Sequence, residues 1–204
     1  VFNIIAIFSY SGGTYLDSLN PGYSFTSNFL SDLGRTISFS GEVNFLSALF
    51  FNLSLILAGG IFTNYYIHVR KVFSKENQHI LSLVGSIFGV LGGLAFIGVG
   101  LTPADLYLEL HVISATWLFR FFFVASLCYS WLIFQHSKFE NKYAIGYIWF
   151  TFSILLYILI SELGPDPKIN QIALILQVVS QKIILLILMG SIYMQTIGLK
   201  KLYG

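Results

Sequence analysis

Five uninterrupted apolar runs constrain this chain more than any other feature of its sequence. Each run is long enough to cross about 30 Å of hydrocarbon as an α-helix rising 1.5 Å per residue. Lipid offers the backbone no hydrogen-bond partners, and runs of this length are too long for barrel strands, so each run must be helical. The chain is therefore predicted to be an all-α, polytopic transmembrane helix bundle in a single domain. The predicted spans are 43–67, 80–101, 112–134, 144–163 and 172–198.

The N-terminal residues form a sixth, shorter apolar stretch. Val1 to Tyr10 are too few to span a bilayer, which needs roughly 20 residues. They are either the remnant of a signal sequence or, in the preferred interpretation, part of a first span represented here by residues 1–13. The second interpretation gives about six helices joined by short loops, apart from one longer loop from Gly12 to Gly41.

The composition excludes a soluble globule. Hydrophobic residues make up 56% of the chain and charged residues only 10%, against about 25% charged residues in a typical soluble domain. The net charge of +2 and the absence of a dense Lys/Arg run predict no nucleic-acid partner. The single cysteine, Cys128, rules out an intrachain disulfide.

The placement of charge predicts the orientation. If the helices alternate, one side of the membrane carries seven basic residues, and the other carries two basic and seven acidic residues. The positive-inside rule then puts both termini in the cytoplasm and the acidic loops outside. The basic side comprises Arg70, Lys71, Lys75, Lys138, Lys142, Lys200 and Lys201. The other side comprises Arg35 and Lys168 with Asp17, Asp32, Glu42, Asp105, Glu109, Glu162 and Asp166.

The long first loop is predicted to contain a short helix. Ser27 or Asn28 would cap this helix, which would end near Gly34. An apolar side predicts that it lies at the membrane interface. Alternatively, the polar residues only cap and solvate a surface loop. The apolar residues are Phe25, Phe29, Leu30 and Leu33.

The loop from Thr102 to His111 is the second polar segment on the acidic side. Pro103 interrupts the preceding helix, and Asp105 is predicted to cap the next one, whose outer end holds Glu109 and His111. His111 is the only histidine on this side, and no HxxxH or HExxH spacing occurs. A metal site needs three or four converging ligands, so His111 would have to draw on Asp32, Asp105 or Glu109, and a structural or hydrogen-bonding histidine is preferred. Neither a metal nor a cofactor is predicted.

Two cations lie within predicted spans. Arg120 and Lys182 each cost roughly 2.5 to 3.5 kcal/mol at the bilayer centre, so both are expected to face the bundle interior or a wet cavity. Either they hold a lipid phosphate in an outward-facing pocket, or they pair internally and fix helix register. Glu109 and Arg120 share one face of their helix. The predicted ligand-binding residues are Asn28, Arg35, Glu109, Arg120, Gln181 and Lys182.

A catalytic grouping is the second possibility. Ser31, Asp32, Asp105 and His111 are the candidate residues of an intramembrane lipid hydrolase or transferase. No GxSxG elbow and no phosphate-binding glycine loop are present. A third hypothesis is an accessory subunit whose aromatic faces bind other membrane proteins, although such aromatics also anchor helices in lipid. The aromatics are Phe121, Phe122, Phe123, Trp149, Phe150 and Phe152.

One helix carries a stripe of glycines. Gly85, Gly89 and Gly93 follow at four-residue spacing, and Gly100 lies one heptad later. Small residues on one stripe let helix backbones approach closely, so we expect a packing seam here.

Two segments resemble a known superfamily. The first is Asn28-Phe29-Leu30-Ser31-Asp32-Leu33-Gly34 before a long helix, and the second runs from Gly98 to Asp105 and leads to His111. Together they resemble the DRAM/Frag/Sfk superfamily of six-helix membrane proteins and its uncharacterised prokaryotic relatives, over roughly Asn28 to Tyr129. The resemblance implies a role in lipid handling, anchor remodelling or lysosomal membrane function, with Ser31, Asp32, Asp105 and His111 as the positions of interest. Because Arg120 and Lys182 lie beneath an acidic outer loop, the preferred hypothesis is a lipid-interacting membrane protein with an outward-facing polar pocket. Its expected partners are membrane lipids and possible further subunits.

Overall fold

The computed structural model describes residues 1–73 and 78–203, and within these ranges it is helical with no strand. Five of the helices are long and apolar enough to cross a membrane, so the chain is a multi-pass membrane protein, and the predicted all-α bundle is confirmed. The α-helices are α1 (Phe2–Phe8), α2 (Phe45–Phe73), α3 (His79–Leu101), α4 (Leu108–Gln135), α5 (Ala144–Leu163) and α6 (Gln171–Tyr203). Two 3-10 helices cover Leu30–Gly34 and Asn141–Tyr143.

The helix ends differ from the apolar runs that predicted them. The first predicted span begins two residues early, because Val43 pairs with Ile37 in an isolated bridge and α2 starts at Phe45. At its other end α2 continues past the apolar run to Phe73, with Arg70 and Lys71 in the last turn, where the helix dipole favours cations. An apolar run shows which residues lipid can surround. The helix itself extends beyond that run wherever its backbone N–H and C=O groups still form hydrogen bonds.

The glycine stripe of α3 is a packing seam, as predicted. A methyl group added at Gly89 would overlap the ring of Tyr66 on α2. One added at Gly93 would overlap the side chain of Thr63 and approach the carbonyl oxygen of Gly59 to 2.8 Å. These contacts bring the backbones of α2 and α3 together, and dispersion between them replaces the hydrophobic driving force that lipid lacks.

An aromatic core fills the middle of the bundle. Tyr66, Phe122, Tyr129 and Phe150 are all buried there. The prediction that Phe122 and Phe150 form surfaces for partner helices is therefore wrong, since both face the interior. Trp149, by contrast, is 60% exposed.

Contacts between loops define two ends of the bundle. At one end, which we call the loop end, the first loop contacts the α3–α4 loop through Thr36 and Asp105 and contacts the start of α6 through Ser27 and Gln171. At the opposite, basic end, Glu140 forms ion pairs with Lys142 and Lys201. Lys71, at the C-terminal end of α2, lies at this basic end, whereas Asp105 lies at the loop end. Lys75 lies outside the described residues.

Candidate functional site: an anchored loop and a lateral pocket

The first loop folds back into the bundle. Its 3-10 helix buries Leu33 completely in a small cluster with Ala6, Tyr10 and Phe51. The predicted apolar side of this helix thus packs inward through Leu33. Phe25, which the sequence also assigns to that apolar side, is 61% exposed.

Polar side chains at the start of α2 hold the end of this 3-10 helix. Asn44 Nδ2 donates to the carbonyl oxygens of Leu33 at 3.2 Å and Arg35 at 2.9 Å. Ser47 Oγ donates to the same Leu33 carbonyl at 3.0 Å, and Asn52 Nδ2 donates to the carbonyl of Gly34 at 3.1 Å. Carbonyls that the short helix leaves unpaired are thereby satisfied, as buried backbone groups require.

The start of the 3-10 helix is held by Asp32. Its carboxylate accepts hydrogen bonds from the backbone N–H of Phe29 at 2.8 Å and from Asn28 Nδ2 at 3.2 Å. Phe29 is the residue at the N-cap position, so the predicted cap at Ser27 or Asn28 is wrong. The reason is that the Asn28 amide is already engaged: its Oδ1 accepts from the N–H of Ser24, and its Nδ2 also donates to the carbonyl of Gly13.

Helix α6 contributes two further contacts to the same loop. Lys182 Nζ donates to the backbone carbonyl oxygen of Asn28 at 2.5 Å, and the side-chain Oε1 of Gln181 accepts from the N–H of Leu30 at 2.9 Å. Lys182 is only 4% exposed, and its ammonium lies 5.2 Å from the centre of the Tyr23 ring. We call Asn28, Asp32, Gln181 and Lys182 the anchor network.

The pKa values of the two loop carboxyl groups, those of Asp32 and Asp105, are shifted in opposite directions. Burial raises the pKa of Asp32 to about 6, although the Asn28 hydrogen bond and the Arg35 charge act in the other direction. Burial also acts to raise the pKa of Asp105. Hydrogen bonds from the Thr36 hydroxyl and from the N–H groups of Ile37 and Thr36 outweigh that effect, so the pKa of Asp105 is lowered.

Asp105 serves the first loop, and its predicted role as the cap of α4 is wrong. Its carboxylate lies 3.0 Å from the N–H nitrogen of Thr36, 2.5 Å from the hydroxyl of Thr36 and 2.9 Å from the N–H nitrogen of Ile37. The N-cap position of α4 is occupied by Tyr107. The carboxylate bonds the loop because that segment presents two N–H groups and a hydroxyl together. Arg35 of the same segment lies with its guanidinium 4.2 Å from the centre of the Phe39 ring.

A cavity of about 360 Å³ lies between α4, α5 and the 3-10 helix near the loop end. We call it the lateral pocket. A second cavity of about 60 Å³ shares Ser31, His111, Ala115 and Phe119 with it. This cavity extends inward among apolar side chains, with Gln181 also in its wall. The side chains of the lateral pocket that matter below are Ser31, His111, Ala115, Arg120, Tyr157 and Glu162.

An ion pair lines the lateral pocket. Arg120 contacts the carboxylate of Glu162 through its Nη2, and its Nη1 donates to the carbonyl of Thr116 at 3.2 Å. Arg120 lies twelve residues into α4, or about 18 Å along the helix, yet its partner sits in the last turn of α5. The two side chains are 35% and 48% exposed, so the pair remains accessible from outside the bundle. Glu109, which lies on the same face of α4 as Arg120, is exposed in the first turn.

Ser31 and His111 meet at the same pocket. His111 Nδ1 lies 2.7 Å from the carbonyl oxygen of Thr102. Since a carbonyl only accepts, Nδ1 carries the proton, and the lone pair of the neutral imidazole is on Nε2. Ser31 Oγ has no hydrogen-bond partner within residues 1–73 and 78–203. Asp32 and Asp105, the other two predicted catalytic residues, direct their carboxylates to loop backbone.

Two of the residues that build this site are not among those predicted from the sequence. Asn44 immediately precedes the long apolar run of α2, and an amide at a helix start is a signal for a capping role. Tyr157 lies inside an apolar span rich in aromatics, and nothing in the sequence separates it from its neighbours. Within the described part of the chain, no group of three or more His, Cys, Asp or Glu residues is arranged to hold a metal ion.

Comparison with known proteins places the chain in a family. Residues 4–191 match a family described as Protein of unknown function (DUF998). No curated protein and no solved structure matches the chain. The matched family covers four of the five membrane-spanning helices completely and most of α6, including the anchor network and the lateral pocket. This chain, a multi-pass membrane protein with an anchored loop and a charged lateral pocket, belongs to the DUF998 family.

Proposed function

We propose that this protein binds the headgroup of a membrane lipid in the lateral pocket. The observation that carries the proposal is the accessible Arg120–Glu162 pair, which lines a cavity together with Ser31 and His111. Charged side chains within a membrane span raise the free energy of insertion unless they pair or contact water, and such groups commonly mark a binding site.

The size and surroundings of the pocket suit an amphiphile. Its volume of about 360 Å³ lies within the range of small-molecule sites. Exposed apolar residues flank it on both helices, with Val112 of α4 50% exposed and Leu159 of α5 45% exposed. A lipid with its headgroup in the pocket would lay its acyl chains along these two surfaces.

The orientation is part of the proposal. The described basic residues at the basic end, together with the positive-inside rule, support cytoplasmic termini. The lateral pocket would then open toward the outer leaflet. The resemblance of the Asn28–Gly34 and Gly98–Asp105 segments to the DRAM/Frag/Sfk superfamily, whose eukaryotic members are linked to lipid handling, supports the same function.

The experiment fills the pocket. Ala115 lies in its wall, so Ala115→Trp is expected to displace bound lipid, while Leu110→Trp places the same ring at an exposed position on the same helix. Both variants and the wild-type protein are purified in mild detergent, and copurifying lipid is quantified by native mass spectrometry. We expect defined lipid adducts on the wild-type protein and on Leu110→Trp, and their loss on Ala115→Trp.

Thermal unfolding of the same samples provides the control for folding. If Ala115→Trp unfolds cooperatively near the wild-type temperature and still carries the same lipid adducts, the proposed site is wrong. If the wild-type protein carries no lipid and gains none when lipid is added, the function itself is wrong.

A second candidate function is lipid ester hydrolysis or acyl transfer. The unpartnered Ser31 hydroxyl and the imidazole of His111, with its Nδ1 bonded to a carbonyl, line the same cavity, which is the observation that favours it. Incubation with a phospholipid would release fatty acid, and Ser31→Ala would abolish release while leaving lipid adducts in place. Equal product from wild-type protein and Ser31→Ala would exclude this mechanism.

A further inference from the structure

We infer that the lateral pocket selects zwitterionic lipid headgroups, which carry an ammonium and a phosphate, over headgroups with net negative charge. This inference rests on the proposed function and names its ligand class. It starts from the charges that line the pocket: Arg120 and Glu162 supply one positive and one negative charge, already in contact with each other.

A phosphate that enters the pocket must compete for Arg120. Guanidinium binds phosphate through paired hydrogen bonds, so Arg120 is the natural contact for the phosphodiester. This contact draws the guanidinium away from Glu162, whose carboxylate then needs another cation. An ammonium on the same headgroup supplies that cation, and both members of the original pair stay compensated.

An anionic headgroup leaves the carboxylate of Glu162 uncompensated. The phosphate would lie close to that carboxylate in a pocket flanked by apolar side chains, where charges interact more strongly than in water. The unfavourable free energy of an unpaired, partly desolvated carboxylate then opposes binding. The same pocket therefore attracts a zwitterion and disfavours a simple anion.

The position of Glu162 strengthens the preference for a cation on that side. Glu162 lies in the last turn of α5, which ends at Leu163. The helix dipole places a partial negative charge of about half an elementary unit at a C-terminus. Carboxylate and helix end thus attract the ammonium together, while Arg120 on α4 is left for the phosphate.

The test uses water-soluble, short-chain phospholipids as probes. Purified, delipidated protein in mild detergent is titrated with dihexanoyl phosphatidylethanolamine, phosphatidylcholine and phosphatidylglycerol. Binding is followed by thermal shift and by tryptophan fluorescence. The centre of the Trp117 ring lies 5.8 Å from the Arg120 guanidinium carbon. We expect both zwitterionic lipids to bind at least about tenfold more tightly than phosphatidylglycerol.

Substitutions separate the two halves of the headgroup. Glu162→Gln is expected to weaken binding of the two zwitterionic lipids by about tenfold and to leave phosphatidylglycerol unchanged or bound more tightly. Arg120→Gln is expected to weaken binding of all three. Glu42→Gln is the matched control, because Glu42 is an exposed acid in the first loop outside the pocket lining, and it is expected to change none of them.

Each outcome decides between the inference and the function beneath it. Phosphatidylglycerol binding as tightly as the zwitterionic lipids to wild-type protein overturns the headgroup selection while leaving lipid binding intact. An equal effect of Glu162→Gln on all three lipids has the same meaning. Failure of every lipid to bind, with Ala115→Trp indistinguishable from wild type, overturns the proposed function itself. The wild-type ratio alone tests the inference if a variant fails to fold.

Discussion

Two polar regions lie close together at the loop end of this bundle, and each uses one cation from a membrane-spanning helix. In the anchor network, Lys182 is 4% exposed and bonds a backbone carbonyl of the first loop. In the lateral pocket, the Arg120 side chain is 35% exposed and contacts another side chain, Glu162. A bond to buried backbone fixes a loop, whereas a bond between two accessible side chains can be exchanged for a ligand. The role of a cation in a span therefore depends on the rigidity and exposure of its partner.

The two regions meet at the 3-10 helix Leu30–Gly34. Its first residues separate the functions: the N–H of Leu30 bonds Gln181 in the anchor network, while Ser31 faces the lateral pocket. Asp32 then turns back to the anchor network. The anchor network thus fixes one wall of the pocket, and loss of the anchor should affect stability first and binding as a consequence.

The largest expected effect comes from Lys182→Met, which breaks the anchor network while keeping a long apolar side chain. The substitution removes a hydrogen bond donated by a charged group, and it removes the cation near Asp32 inside the protein. We therefore expect the free energy of unfolding to fall by about 3 kcal/mol or more. The apparent melting temperature in detergent measures it. Lys200→Met, at an exposed position on the same helix, is the matched control and should leave the melting temperature unchanged. Equal melting temperatures for Lys182→Met and wild type would mean that the anchor network does not hold the loop.

The next effect is a pH dependence that belongs to Asp32. The pKa of its carboxyl is about 6 in the folded chain and 3.8 without the fold, so the folded state binds more protons between these values. The free energy of unfolding therefore falls as pH rises from about 4 to 6, and the loss is complete above about 6. One pKa unit corresponds to about 1.4 kcal/mol, so the change reaches at most about 3 kcal/mol.

Melting curves of wild-type protein and Asp32→Asn at several pH values between 4 and 7.5 measure this contribution. The variant should lose the fall in stability over that range, because it has no carboxyl to titrate. Asp105 does not interfere, since its pKa is lowered and the stability it contributes is lost only below the ordinary value of 3.8. A wild-type melting temperature that rises between pH 4 and 6, with Asp32→Asn unchanged, would contradict the burial of a protonated Asp32.

A smaller effect is expected at Asp105, which joins two loops on the exposed side of the anchor network. Asp105→Ala removes the acceptor for the N–H groups of Thr36 and Ile37 and for the Thr36 hydroxyl. Because these groups are only partly buried, water replaces some of the lost bonds, and we expect about 1 to 2 kcal/mol of destabilisation. Asp166→Ala, an exposed aspartate in the α5–α6 loop, is the control. Asp105→Ala as stable as Asp166→Ala would remove the loop-joining role.

Much of the fold followed from the sequence because lipid leaves few alternatives. The apolar runs of α2 to α6 predict helices directly, since an unpaired backbone group in hydrocarbon is prohibitively costly. The glycines of α3 predict a close approach for a similarly simple reason: only a residue without a side chain admits Tyr66 or the Gly59 backbone. In both cases one local property decides the structure.

The polar site was less predictable because polar groups have many possible partners. The sequence predicts Asp105 as the cap of the following helix, α4, but its carboxylate bonds Thr36, which lies 69 residues away in the chain. Arg120 is a candidate from the sequence alone, because it is a cation within a span, but its pairing with Glu162 depends on how α4 and α5 are aligned. The sequence does not encode that alignment locally. The residue types indicate which side chains belong to the site. Which of these side chains bond to one another depends on how the helices pack.

The smallest expected effect compares two serines across the boundary between the regions. Ser31 Oγ has no hydrogen-bond partner in the described part of the chain and faces the lateral pocket, so Ser31→Ala should change stability by less than about 0.5 kcal/mol. Ser47 Oγ is buried and donates to the carbonyl of Leu33, so Ser47→Ala should destabilise by about 1 kcal/mol. Melting temperatures of the two variants side by side measure the difference. If Ser31→Ala were the more destabilising, Ser31 would belong to the anchored loop, and the lateral pocket would lose its one hydroxyl available for a ligand on that wall.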